Sequence, residues 1–122
     1  PVAFALSPCE VVLEADEELN RARISLSFSV RVLEAETWVR VPLLREGVAL
    51  SSVRMDGNPA SVHRHGGHYC VAILGEGTHR FSLEYIEDMQ GRSMQEVPGG
   101  GYEIRLKLPV PEADMGLITR YL

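Results

Sequence analysis

Apolar and polar residues alternate without a break from Ala22 to Val32. The even positions are Ala22, Ile24, Leu26, Phe28, Val30 and Val32, and the odd ones between them are Arg23, Ser25, Ser27, Ser29 and Arg31. Successive side chains of a strand point to opposite faces, so this period predicts a strand with one buried and one wet face. The same grammar recurs along the chain. Tyr102, Ile104, Leu106 and Leu108 alternate with Glu103, Arg105 and Lys107. His79, Phe81, Leu83 and Tyr85 share one parity. So do Thr37, Val39, Val41 and Leu43, which leaves Trp38 and Arg40 on the opposite face. No window sustains the apolar stripe of an amphipathic helix, so long helices are not expected.

The residues between these runs set the limits of the elements. Short strands are expected at Val2–Leu6 and Glu10–Ala15, broken by Ser7-Pro8. Asp16-Glu17-Glu18 with Asn20 reads as a polar turn and Glu34-Ala35-Glu36 as a connection. Pro42 lacks an N–H, which places its strand at a sheet edge or exit. Val48–Met55 changes parity across Ser51-Ser52, the mark of a β-bulge. Asp56-Gly57 and Gly75-Glu76-Gly77 are tight turns, and Val62–Leu74 reads as a hairpin turning at Gly66-Gly67. Glu87–Glu96 is polar and the least structured stretch, Pro98-Gly99-Gly100-Gly101 is a flexible turn, and Met115–Leu122 is a final strand.

About eight or nine short strands with closely spaced turns predict an all-β fold. One-faced alternation makes the sheets antiparallel with a solvated outer side. The expected architecture is an antiparallel two-sheet sandwich, immunoglobulin-like in the broad sense, forming a single domain over residues 1–122. The Cys–Trp–Cys spacing of antibody domains is absent, because no cysteine precedes Trp38 on the long strand. The start at Pro1 and the apolar finish at Leu117, Ile118, Tyr121 and Leu122 are read as the ends of a piece of a longer protein.

Size and charge narrow the function. With 122 residues the chain is long enough for a core without metals or disulfides. A net charge of −5 argues against nucleic acid and against an anionic membrane surface. No apolar run approaches the ~18 residues that cross a bilayer, so no direct membrane insertion by this chain is expected. Cys9 and Cys70 are open to pairing or to remaining free; a bridge between them would contribute about 4 kcal/mol in the chain-entropy model.

The sharpest candidate chemistry lies in the hairpin. If Gly66-Gly67 are its two loop residues, His65 faces His68 and His63 faces Cys70. Paired residues share a face, so His63, His65, His68 and Cys70 lie together, a donor set suited to Zn²⁺ or Cu²⁺. The competing reading is a polar hairpin tip with incidental histidines. A second candidate is the outward pair Trp38 and Arg40, for stacking on carbohydrate or contact with a partner; against it stands a Trp38 that plugs the end of the sandwich. His79 sits at a buried parity beside Phe81 and reads as a hydrogen-bonded core or rim residue, not a base. Gly91-Arg92-Ser93-Met94-Gln95 begins like a nucleophile elbow but lacks its final glycine. The glycines at 99–101 precede a strand and not the helix a phosphate loop needs. Asp16-Glu17-Glu18 and Glu84, Glu87 and Asp88 lack the oxygen-ligand spacing of a calcium loop. No catalytic constellation and no cofactor are expected.

Three runs share a further pattern. These are Trp38-Val39-Arg40-Val41-Pro42-Leu43, Val53-Arg54-Met55-Asp56-Gly57-Asn58-Pro59-Ala60, and Tyr69-Cys70-Val71-Ala72-Ile73-Leu74-Gly75-Glu76-Gly77-Thr78-His79. Together with Leu106-Lys107-Leu108-Pro109 they resemble a module of large, poorly characterised bacterial proteins assigned to the cell envelope. The resemblance covers roughly residues 37–109 and consists of turn and strand motifs. It implies a β-sandwich in an exported protein, periplasmic or membrane-anchored, and carries over no catalytic residue. The expectation is therefore a non-catalytic structural or protein-interaction module whose partners are other proteins or neighbouring domains. The alternative is a ligand-binding module, for carbohydrate through Trp38 or for metal through the 63–70 hairpin.

Overall fold

The alternating run becomes a central strand of the largest of three sheets, one of them a two-stranded ribbon. The computed structural model describes residues 3–16 and 21–88, together with three short strands beyond them. The strands are β1 (Phe4–Leu6), β2 (Glu10–Asp16), β3 (Arg21–Val32), β4 (Trp38–Arg45), β5 (Ala49–Met55), β6 (Asn58–Pro59), β7 (His63–His65), β8 (His68–Leu74), β9 (Gly77–Asp88), β10 (Gln95–Glu96), β11 (Tyr102–Glu103) and β12 (Thr119–Tyr121). The described residues contain no helix. Of the expected strands near the C-terminus, only the pieces at β11 and β12 are described. The 98–101 turn, the elbow-like serine at 93 and the remainder of both strands lie outside the described residues.

The large sheet has the order β12-β2-β3-β9-β5-β6, with β1 pairing β3 beside the end of β2. The small sheet has the order β4-β8-β7. Apart from β12, which runs parallel to β2, every pairing in both sheets is antiparallel. The fold is thus the all-β sandwich that the periodicity predicts. Strands β3 and β9 pair over their whole lengths, from Arg21↔Asp88 to Val32↔Gly77.

One core fills the space between the sheets. Ile24, Leu26, Phe28 and Val30 of β3 and Phe81, Leu83 and Tyr85 of β9 supply it from the large sheet. Val39, Val41, Leu43, Val71 and Ile73 supply it from the small one. The Phe28 and Phe81 rings stack with centroids 5.9 Å apart, directly across the β3–β9 ladder. The bulge expected at Ser51-Ser52 forms as a β5–β9 register shift between Leu50 and Ser52; the β4–β8 register also shifts, between Pro42 and Leu44. Pro42 lies on β4, an edge strand among the described residues, where a missing N–H costs no internal ladder bond.

Two glycine-bearing turns fix the register of the small elements. Gly66 and Gly67 have φ of 57° and 82°, the double positive φ of a type I′ hairpin turn. Asp56 and Gly57, at 52° and 82°, close the β5–β6 hairpin in the same way.

Phe81→Ala removes a fully buried ring and its stacking partner's contact. It should lower unfolding stability by about 3–5 kcal/mol in urea melts, while Ser27→Ala on the outer face stays within about 0.5 kcal/mol of the parent.

Candidate functional site

The outer face of the small sheet carries most of the residues that sequence reasoning singled out. The hairpin pairs His65↔His68, Arg64↔Tyr69 and His63↔Cys70, the register expected from Gly66-Gly67. On β4, Trp38 lies opposite Leu74, Arg40 opposite Ala72 and Pro42 opposite Cys70. Because Val39, Val41, Val71 and Ile73 face the core, these pairs face away from it.

Trp38 is 65% exposed and Leu74 52% exposed. They are cross-strand neighbours and form an apolar spot on a sheet face that should be polar. Trp38 therefore does not plug the sandwich. Arg40 reaches across the middle strand, over the small side chains of Ala72 and Cys70, and its Nε donates to His63 Nε2 at 3.1 Å. In that bond His63 Nε2 is the acceptor. The bond also sets the orientation of the guanidinium plane.

Cys70 sits beneath this bridge. It points outward with Ala72 and Leu74, yet it is only 1% exposed. Its Sγ lies 3.6 Å from the His68 carbonyl and 3.8 Å from that of His65, where the thiol donates weakly. Desolvation pushes the Cys70 thiol up, against a lowering pull from Arg40. His68 Nδ1 is engaged locally, 3.2 Å from the Gly66 carbonyl. Arg64 lies on the opposite side of the hairpin, its guanidinium 5.5 Å from the Tyr69 ring centroid and 3.8 Å from Glu46. The hairpin thus brings His63, His65, His68 and Cys70 to one side but does not converge their donor atoms. Among the described residues no group of three or more His, Cys, Asp or Glu side chains stands in a metal-holding arrangement. The physical reason is that Arg40 occupies His63 while Cys70 is turned into backbone carbonyls.

Both cysteines are free. Cys9, just before β2, is buried in the core, and burial pushes its thiol up to about 11.

A second polar cluster was only half legible in the sequence. Of the core and rim positions open to His79 it takes the partly exposed rim, and its partner is Asp56, twenty-three positions earlier. Asp56 Oδ2 lies 2.7 Å from His79 Nδ1, and Oδ1 accepts from the Arg80 N–H at 2.9 Å. The Asp56 N–H in turn donates to the Arg80 carbonyl at 2.8 Å. The two backbone bonds and the side-chain bond clamp the β5–β6 turn onto β9. The hydrogen bond from Arg80, and then that from His79, hold the Asp56 carboxyl below its ordinary range. All of these bonds run between the turn and β9, so the cluster locks the turn. The signal that could have found it is the tight-turn aspartate with a left-handed φ, whose carboxylate is free to reach an adjacent strand.

The outer face of the large sheet is a ladder of serines and ion pairs. Arg23 stands 3.1 Å from Glu84 and 3.6 Å from Glu14, and Arg80 stands 3.9 Å from Glu10. These exposed pairs shape a solvated surface and add little stability.

The geometry defines a β-sandwich with an aromatic–cationic outer face, and comparison with solved structures places that fold among known ones. An M1 zinc metallopeptidase from Deinococcus radiodurans, bound to a Tyr-Ser-Ala substrate, matches 79% of this chain with a TM-score of 0.51 and 14% identity, over 23% of its own length. Yeast LTA4 hydrolase in complex with bestatin matches 82% of this chain with a TM-score of 0.52 and 13% identity, over 18% of its own length. A two-domain M1 zinc metallopeptidase bound to L-arginine matches 80% of this chain at a TM-score of 0.51 and 15% identity. The likeness is one of fold, and the chain spans about a fifth of the length of these proteins. No protein-family model and no curated sequence matches the chain. None of the four histidines begins a His-Glu-x-x-His motif, so the residues present do not fit a catalytic zinc centre of that type.

The buried thiols should resist labelling. In native protein, Cys9 and Cys70 should react with Ellman's reagent far more slowly than after unfolding in guanidinium, and unfolded chain should release the colour of two thiols without a reductant. The Asp56 clamp has an acid signature. Its folded carboxyl is depressed, so its contribution is full above the ordinary value of 3.8 and is lost as pH falls through the lower folded value. Asp56→Asn should flatten the acid limb of the stability–pH curve followed by circular dichroism and leave its alkaline limb unchanged.

Proposed function

We propose that this chain is a non-catalytic, immunoglobulin-like β-sandwich module of a larger protein, acting through contact with a neighbouring domain or protein partner. The observation that carries the reading is the pairing of two facts. Four-fifths of the chain follows a fold that makes up about a fifth of an M1 zinc metallopeptidase. The described residues supply a core, two sheets and a clamped turn, and no group of three or more His, Cys, Asp or Glu among them stands as a metal set. In proteins of this layout the hydrolytic chemistry would belong to other parts of the chain. One larger protein that this fold would fit is a metal-dependent peptidase of the same architecture.

An address in the bacterial cell envelope, periplasmic or membrane-anchored, is part of the proposal and rests on the motif resemblance at residues 37–109. A second reading, a carbohydrate-binding module, is favoured by one observation, the exposed Trp38 beside Arg40.

The isolated chain incubated with aminoacyl-p-nitroanilides, with and without added Zn²⁺, should give no turnover above the buffer rate. Measured turnover that survives repurification would overturn the module reading. Quenching or a blue shift of Trp38 fluorescence by neutral oligosaccharides would favour the carbohydrate reading.

A further inference from the structure

The small sheet is charged differently from the rest of the chain. The chain as a whole carries a net charge of −5. Strands β4, β7 and β8, reading WVRVPLLR, HRH and HYCVAIL, contain Arg40, Arg45, Arg64 and three histidines and no Asp or Glu. Arg45 lies opposite His68, which puts it on the same outer face as Arg40. Of these arginines only Arg64 has an ion-pair partner among the described residues. By contrast, on the outer face of the large sheet Arg23 pairs with Glu14 and Glu84, and Arg80 with Glu10. The small-sheet face therefore presents uncompensated positive charge, next to the apolar spot of Trp38 and Leu74.

We infer that the outer face of the small sheet docks an acidic polypeptide segment that carries a large apolar side chain. Arg40 takes the carboxylate, and the Trp38–Leu74 pair takes the apolar group. Three features carry the inference. First, charge complementarity selects the partner's sign, since strands β4, β7 and β8 carry no Asp or Glu and the neighbouring Glu46 is paired with Arg64. Second, His63 uses only Nε of Arg40, which leaves the guanidinium Nη groups to donate to a carboxylate from a plane already fixed. Third, Trp38 and Arg40 are two residues apart on one strand face, about 7 Å, the spacing of alternate side chains on a partner strand. An exposed Trp beside an oriented Arg is the composition that dominates binding energy at protein interfaces. His63 acts as a positioning residue, through Arg40.

The inference rests on the module reading, and the two fail differently. Peptidase turnover by the chain removes the module reading and leaves the binding data standing. Binding that ignores this face removes the docking surface and leaves the module reading standing.

The test uses a short dansyl-labelled peptide of alternating Glu and Leu as the probe, with Glu–Ser and Lys–Leu peptides as controls. The Glu–Leu peptide should bind saturably, more weakly as salt is raised, and more tightly than either control. Trp38→Ala and Arg40→Gln should each weaken it about tenfold. Leu74→Ser should weaken it in the same direction, and Ser27→Ala on the far sheet should leave it unchanged. His63→Ala should reproduce part of the Arg40 loss, while His63→Gln, which keeps an acceptor for Arg40, should restore affinity. Both mutated positions on β4 are exposed, so circular dichroism should show folded variants.

Equal affinity for parent, Trp38→Ala and Arg40→Gln would overturn the inference, as would absence of saturable binding. Preferential binding of an acidic oligosaccharide such as oligogalacturonate would overturn it in favour of a glycan. Self-association abolished by Trp38→Ala in the absence of peptide would overturn it in favour of a second copy of the chain.

Discussion

The twelve-residue pairing of β3 with β9 is the constraint on which the other elements depend. It joins Arg21–Val32 to Gly77–Asp88, so both strands sit at the centre of the large sheet. Their inner faces supply Ile24, Leu26, Phe28, Val30, Phe81, Leu83 and Tyr85, the bulk of one side of the core. Strand β2 reads its register from β3, and β5 reads its register from β9. A one-residue slip would turn Phe81 and Tyr85 outward and Arg80 and Glu84 inward. The opposing sheet has no comparable seam. It is held by the apolar faces of β4 and β8 against this platform, and the two-residue link Gly75-Glu76 carries the chain from one layer to the other.

Local grammar was enough to read much of this. The alternation in Ala22–Val32 survives as the burial pattern of β3, residue by residue. The Ser51-Ser52 parity slip, the edge position of Pro42 and the Gly66-Gly67 turn are each decided by one or two residues, and each forms as expected. What stayed illegible depends on distant partners. Nothing in the vicinity of Phe4–Leu6 announces that it pairs with β3 beyond the end of β2. Nor does anything near Asp56 name His79 and Arg80 as its partners.

The candidate site shows the same division. The hairpin rule placed His63, His65, His68 and Cys70 on one side, and the structure does so. The rule could not foresee Arg40, which arrives from β4 across the middle strand. By taking His63 and roofing Cys70, that one side chain changes a cluster of donor atoms into an oriented cation above a buried thiol. Trp38, ambiguous by parity alone, is settled by its position opposite an exposed leucine at the sheet end.

Strand β4 is unpaired on one side among the described residues, and an open strand edge ordinarily invites other chains to add to the sheet. Here that edge is interrupted by Pro42, which offers no N–H, and by the register shift that follows it. A continuous ladder cannot grow along β4. Strand addition is thereby disfavoured along the very edge that lies beside the exposed Trp38 and Leu74.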